Sequence, residues 1–243
     1  MPEIKLFNDR KIVGILQPGY LPWLGFFEQL YQSDTFILYD DVQFEKGSWR
    51  NRNRIKTVTG PQWLTVPVRL KGEKNQLIRD VVINSSDPWQ KKHINSIVQN
   101  YSKSPYFEHY SQGLINCIDK PWKKLVDLDY ELIFWLVAQL GIHTEIRLSS
   151  DLKISGNSVQ RLIDMVQSLS GTHFYEGAAG INYIETKKFE QANISVIFQE
   201  YKHPVYSQLY GTFCSHLSIV DLLFNCGPES LGVLTNNKMK GNI

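Results

Sequence analysis

The sequence predicts an α/β fold built on a three-layer parallel sheet, with helices covering both faces. Three observations predict it. The chain opens as strand, loop, helix, strand, which is how a parallel sheet begins. From Lys123 onward, helical and extended patterns alternate three times. The chain has 243 residues, 42% of them hydrophobic and 21% charged, a globular composition in a chain long enough to bury a sizeable core. Residues 1–243 read as one α/β domain with a small hairpin insertion near residues 55–85.

The elements follow in order. Lys11–Leu16 (KIVGIL) is a short apolar run closed by Gln-Pro and reads as a buried strand. After a loop over Gly19–Pro22, a helix runs from Trp23 to Gln32, with Leu24, Phe27, Leu30 and Tyr31 on one stripe. Thr35–Tyr39 is the second strand. Ile55–Arg69 reads as a hairpin turning at Gly60-Pro61, with Pro67 marking an edge. Asp87–Gln99 is helical, with Asp87 as cap and Pro88 at its first position. Lys123–Leu140 is a long helix stopped by Gly141, and Ile142–Leu148 the strand after it. Asn157–Leu169 is a helix closed by Gly171, then come a strand over Thr172–Tyr175, a helix over Thr186–Ala192, a strand over Ile194–Phe198 and a helix over Ser218–Phe224. Ligands of such sheets bind outside the carboxyl ends of the strands.

Composition excludes several classes. A net charge of +2 is too small for a general polyanion binder, so nucleic acid is not an expected partner. Three cysteines, none in a C-x-x-C pair, make neither a disulfide framework nor a structural zinc site. The start, MPEIKLFNDRK, lacks the apolar stretch of a signal peptide. The longest apolar run, Leu132–Leu140, falls short of the roughly 20 residues that span a bilayer. The expected location is the cytoplasm, and a homo-oligomer is compatible with the sequence.

Five polar clusters fall mostly after predicted strands. Gln17-Pro18-Gly19-Tyr20-Leu21-Pro22-Trp23 opens the first helix, where backbone N–H groups could hold a phosphate; a rigid packed turn is the alternative. Asp40, Asp41 and Gln43 follow the second strand, and one carboxylate could take a cation or a sugar hydroxyl, or cap a turn. Lys46 to Lys56 holds five cations in eleven residues. If extended, it puts Arg50, Arg52 and Arg54 on one face and Trp49, Asn51, Asn53 and Ile55 on the other. Arginine suits bidentate phosphate recognition and tryptophan suits stacking on a base or sugar ring; a solvated basic edge is the alternative. Gly177, with Tyr183 beyond it, follows a strand and permits close backbone approach to a ligand. Last come Tyr201-Lys202-His203-Pro204-Val205-Tyr206-Ser207-Gln208, then His216 and Asp221. His203 and His216 are acid–base candidates because imidazole titrates near neutrality. Asp221 could orient an imidazole or belong to a helix cap started by Ser218. Tyr206 and Gln208 are candidate ligand contacts. No metal site is indicated, and no cofactor is identified.

The blocks QPGYLPWLGFFEQLYQSD, YDDVQFEKGSWRNRNRIK, WLTVPV, YKHPVYSQ and FCSHLSIVDLLFNCG resemble the WbqC-like protein family over nearly the whole chain. The resemblance implies a bacterial polysaccharide context of O-antigen type. The opening is also similar to nucleotidyltransferase-like α/β domains, pantothenate synthetase among them. Their His-x-Gly-His signature is here Trp23-Leu24-Gly25-Phe26, without either histidine. Two readings follow from that context. One is an enzyme that transfers an acyl or aminoacyl group to an amino sugar carried on a nucleotide. The other is a non-catalytic protein that binds a sugar nucleotide. Asp, His and Arg converging in one pocket favour the enzyme; aromatics and Arg without an acid–base group favour the binder.

Overall fold

The computed structural model describes residues 10–69, 75–241 and 243. Residues 70–74 of the expected insertion and the stretch MPEIKLFND at the start lie outside the described residues. Strand β1 spans Ile12–Leu16, helix α1 Leu24–Gln32 and strand β2 Thr35–Leu38. A hairpin follows, β3 (Arg52–Thr57) and β4 (Gly60–Thr65), then three helices, α2 (Trp89–Tyr101), α3 (Phe107–Ile118) and α4 (Leu125–Gln139). The second half runs β5 (Glu145–Leu148), α5 (Ser149–Leu152), α6 (Ser158–Ser168), β6 (His173–Glu176), α7 (Thr186–Gln191), β7 (Ser195–Phe198), α8 (Ile219–Cys226) and α9 (Ser230–Leu234).

Five strands form one sheet in the order β5-β2-β1-β6-β7. Every pairing in it is parallel. The pleat sorts side chains onto two faces. Val13, Ile15 and Ile37 point into a core completed by Val159, Ile163 and Val166 of α6 and Phe189 of α7. Phe36 and Leu38 point the other way, into a larger core with Leu24, Phe27 and Leu30 of α1 and the apolar sides of α2, α3, α4 and α8. Both faces are covered, so the strands carry almost continuous apolar runs, as buried parallel strands do. The expected three-layer α/β arrangement, with Lys11–Leu16 and Thr35–Tyr39 as adjacent parallel strands, is the one observed.

The chain leaves β1 toward β2 and β5, then returns to β6 on the other side of β1. Strand order therefore reverses between β1 and β6, and the carboxyl ends of strands at such a reversal are the general ligand position in these sheets.

Several boundaries differ from the sequence expectation. The β3–β4 hairpin turns at Val58-Thr59, not at Gly60-Pro61, because Thr57 already pairs with Gly60 and Thr57 Oγ1 donates to the Gly60 carbonyl at 2.8 Å. Strand β5 starts at Glu145 because Ile142 N–H still caps α4, donating to Val137 O at 3.1 Å while Gly141 N–H donates to Ala138 O at 3.1 Å. At the end of α6 the left-handed residue is Ser170 (φ +55°), one before Gly171. Asn157 occupies the N-cap of α6 without a side-chain cap bond, and Asp87 pairs with Lys92 while Pro88 holds the cap of α2. Helices α3, α5 and α9 were not expected.

Among the described residues, no helix is long and apolar enough to cross a membrane. No group of three or more His, Cys, Asp or Glu among them is placed to hold a metal ion.

Candidate active site

Three segments far apart in sequence meet beyond the carboxyl end of β1. Tyr20 N–H donates to Arg50 O at 3.0 Å, Ile219 N–H to Pro22 O at 2.9 Å, and Ser218 N–H to Arg54 O at 2.8 Å. Asn53 Nδ2 donates to Leu21 O at 2.7 Å. Gly19 makes the closest approach: a Cβ there would lie 2.7 Å from the Trp49 carbonyl oxygen, so only glycine lets the Trp49-Arg50 turn sit on this loop. Leu21 holds a left-handed backbone (φ +45°), an uncommon conformation for a branched residue and one that clusters at functional sites.

Between the segments lies a cavity of about 290 Å³. Gln17, Gly19 and Trp23, the N-cap of α1, line it from the first loop, Phe26 from α1, Trp49, Arg50 and Asn53 from the basic segment, and His216 from the last. The arrangement puts one cation, one imidazole and several aromatic rings around one space.

Arg50 is the cation. Its Nη1 donates to Gln17 O at 3.0 Å. Burial lowers its pKa to about 10, against the pull of Asp129, so it stays protonated at neutral pH. Asp129, from α4, is fully buried, and neither carboxylate oxygen has a hydrogen-bond partner among the described residues. Burial raises its pKa well above the usual carboxylate range, and the charge on Arg50 opposes that rise. Tyr20 packs beside this pair with no exposure, its hydroxyl 2.9 Å from His93 Nδ1, and so serves as an anchor beneath the loop.

The other two arginines part from Arg50. Arg50 precedes β3 and turns inward, so the alternation expected from residue 50 holds only from Arg52 onward. The Arg52 guanidinium sits 4.4 Å from the Trp63 ring centroid. The Arg54 guanidinium lies 5.8 Å from Trp49 and 5.6 Å from Trp63, and its Nη2 donates to His216 O at 3.1 Å. Trp49 joins this outer face, against the expectation that it would share a face with the asparagines, because it lies in the turn and packs on Trp63 at 5.1 Å. Both tryptophans stay more than two-fifths exposed, which leaves a ring face open to a ligand. Asn51 and Asn53 are buried and bind backbone: Asn51 Nδ2 donates to Val66 O at 2.8 Å.

The histidines have different surroundings. His203 Nδ1 donates to Pro204 O at 2.8 Å, and its Nε2 accepts the His216 N–H at 3.2 Å. Both ring nitrogens are thus engaged in the neutral form, and burial lowers its pKa. His216 is exposed, with Nδ1 2.8 Å from Ser215 Oγ, and Nε2 has no partner among the described residues. Asp221 orients neither ring. It is fully buried and accepts from Tyr101 Oη at 2.7 Å, Tyr206 Oη at 2.9 Å and Gln208 Nε2 at 2.8 Å. Gln208 also bonds Cys214 through both ends of its amide, and Lys56 Nζ reaches Gln208 Oε1 at 3.1 Å. Asp221, Tyr206 and Gln208 therefore fix the loop that carries His216 rather than line the cavity.

The remaining sequence candidates lie outside it. Asp40 accepts from Ser149 Oγ at 2.8 Å, Ser150 N–H at 3.0 Å and Ser150 Oγ at 2.7 Å, so it ties β2 to the start of α5. Asp41 pairs with Arg161 at 2.5 Å, both side chains nearly buried. Among the described residues the Gln43 side chain reaches only Asn75, at 3.4 Å on the surface. Beyond β6, Gly177 starts a short 3-10 turn, and Tyr183 Oη donates at 3.0 Å to Glu176, whose pKa burial pushes up to about 7.

Sequence reasoning missed Asp129, Phe26 and Glu28. Asp129 and Glu28 carried a readable signal. Each is a carboxylate on the apolar stripe of its helix, four residues after Leu125 and Leu24 respectively.

The model of the WbqC-like protein family matches residues 17–233. An uncharacterized protein of Mycobacterium tuberculosis (strain ATCC 25618 / H37Rv), Rv1507c, is 36% identical over 222 residues, covering 90% of this chain and 96% of the relative. No solved structure matches. The matched span contains every cavity-lining segment named above.

Proposed function

The chain belongs to the WbqC-like protein family, and from that premise we propose that it is a cytoplasmic enzyme of bacterial polysaccharide biosynthesis, of O-antigen type, that transfers an acyl or aminoacyl group to the amine of a nucleotide-linked sugar. One observation carries the reading: Arg50, Trp23 and His216, from three distant segments, line one cavity at the point where strand order reverses. Arg50 supplies a fixed positive charge for a phosphate, and Trp23 a ring for stacking. At about 290 Å³ the cavity sits at the low end of ligand pockets, which run to roughly 1,000 Å³. It has room for a ring and a phosphate, while the exposed Trp49–Trp63 face receives the rest of the nucleotide.

In this mechanism His216 Nε2 is the base. The sugar amine attacks the carbonyl carbon of an activated acyl donor, His216 takes the amine proton, the new N–C bond forms, and the bond to the leaving group breaks. His203 is a positioning residue, since its Nε2 holds the His216 backbone.

The binder remains the second reading, and one observation favours it. Asp221, the carboxylate expected to orient an imidazole, is committed to Tyr101, Tyr206 and Gln208. The deciding experiment incubates the protein with nucleotide-linked amino sugars and activated acyl donors and looks for a mass-shifted sugar nucleotide. Tight binding without product across a broad panel replaces the enzyme with the binder.

A further inference from the structure

A second, larger cavity of about 680 Å³ lies beside the first. Trp23 lines the first and Tyr201 the second, and the two rings meet edge to face at 5.8 Å. The base of the second cavity is acidic and phenolic. Glu28, from α1, is 7% exposed; its carboxylate accepts from Tyr175 Oη at 3.0 Å and from Gln199 Nε2 at 2.5 Å. Its other oxygen lies 3.2 Å from the same Tyr175 hydroxyl, and the Gln32 side chain also supports the carboxylate. Tyr201 Oη is buried and has no hydrogen-bond partner among the described residues. At the rim, among the described residues, Lys202 and Lys238 are exposed and line the cavity together with Glu200, Asn236 and Ile243. Neither lysine forms an ion pair among the described residues, and the charge on Lys238 partly offsets the burial of Glu28.

Burial raises the pKa of Glu28 although Tyr175 and Gln199 bond it, and the Tyr201 hydroxyl has no partner among the described residues, so a cationic donor that meets both gains what the empty protein lacks. An ammonium group carries three donors and no acceptor, the complement of Glu28, Tyr175 Oη and Tyr201 Oη. The lysines at the rim complement an anion at the other end of the same small molecule. We propose that this cavity binds a small α-amino acid, with its ammonium on Glu28 and the two tyrosine hydroxyls and its carboxyl end facing Lys202 and Lys238. The site makes and breaks no bond by itself. Its role rests on the transfer reading above, for which it names the donor class: an aminoacyl group joined through its carboxyl to an anionic leaving group, which faces Lys202 and Lys238 and departs as the amide forms, rather than a simple acyl group.

Ligand-observed NMR with free glycine and L-amino acids tests the site in the absence of any nucleotide. Ethanolamine and lactate, each lacking one of the two charged groups, are the comparison. Amino acids are expected to bind at least about tenfold tighter than either analogue, the size of one lost charge-assisted bond. Glu28→Gln is expected to weaken amino-acid binding about tenfold or more while leaving nucleoside diphosphate binding as in the wild type. Tyr201→Phe removes only a hydroxyl that has no protein partner, so it keeps the melting temperature and still weakens the amino acid severalfold. The proposal is overturned if no amino acid binds, if the one-charge analogues bind equally well, or if Tyr201→Phe binds amino acids unchanged. Amino-acid binding without transfer from carboxyl-activated aminoacyl donors to any nucleotide sugar would remove the enzymatic reading and leave this site standing. Transfer from simple acyl donors with no amino-acid binding would do the reverse.

Discussion

His216 lies nearly flat on Trp23, the ring centroids 5.5 Å apart and the planes 19° from parallel. The contact is held from both sides. The His216 backbone is left-handed (φ +57°), a conformation that costs a non-glycine residue about 1–3 kcal/mol, and the Arg54 and His203 side chains hold it there by bonding its carbonyl and its N–H. Strain held at the rim of a cavity is what a positioned functional group looks like. The Trp23 indole in turn fixes the imidazole on one side of the ligand space.

The two histidines are therefore expected to separate by experiment. His216→Asn should lower the transfer rate about 10²–10⁴-fold, the usual worth of a general base, with little change in melting temperature. His203→Asn should cost stability instead, on the order of 1–3 kcal/mol, because it strands a backbone donor and loosens the loop. Rate measurements paired with thermal melts check both, and full activity in His216→Asn removes it as the base.

Arg50 and Arg54 should also differ. Arg50→Ala removes the one guanidinium that lines the cavity among the described residues, so nucleoside diphosphate binding should weaken by about 1–3 kcal/mol. Arg54→Ala should affect binding less, since its side chain serves the outer tryptophan face and the His216 carbonyl. Calorimetric titration of both variants with the same diphosphate is the check. Equal losses would mean the ligand lies on the outer face, not in the cavity.

Much of the fold was legible because parallel strands buried on both faces leave short apolar runs, and KIVGIL and TFILY are such runs. Helix α3 was not legible. Gly113 stands in its middle and reads as a breaker, yet a Cβ there would lie 2.8 Å from the Trp135 indole nitrogen, so it is a packing glycine between α3 and α4. The site was half legible. The segments carrying Gln17, Arg50 and His216 stood out by composition, but their individual roles depend on partners far away in sequence. Asp221 and Asp40 looked chemical and are saturated by Tyr101, Tyr206 and Gln208 and by Ser149 and Ser150, contacts no local pattern reveals.

Glu176 should make stability depend on pH. Burial raises its pKa from 4.5 to about 7 in the folded protein. A carboxyl raised on folding stabilises fully below its unfolded pKa, and that contribution is lost as pH rises through the folded value. The wild type should therefore lose stability between about pH 4.5 and 7 relative to Glu176→Gln, by up to about 3 kcal/mol. Urea unfolding of both proteins across that window measures it. Parallel curves would show that Glu176 ionises freely and that its burial is relieved in solution.

Gly25→Ala tests the cavity wall without touching any polar group. Gly25 lies in the first turn of α1, where alanine is the better helix former by about 1 kcal/mol, so propensity alone predicts a more stable protein. Packing predicts the opposite. A Cβ at this position would lie 2.3 Å from the Trp23 ring, and the indole is not a flexible chain end that can step aside cheaply, since it is held between Tyr201 at 5.8 Å and His216 at 5.5 Å. Overpacking of this kind costs about 1–3 kcal/mol, enough to outweigh the propensity gain. The indole must rotate away from α1, which closes the cavity it lines and removes the surface on which His216 stacks. The expected result is a folded protein of equal or lower melting temperature, altered tryptophan fluorescence and loss of diphosphate binding. A gain in stability with binding intact would mean that Trp23 moves freely and does not form the wall.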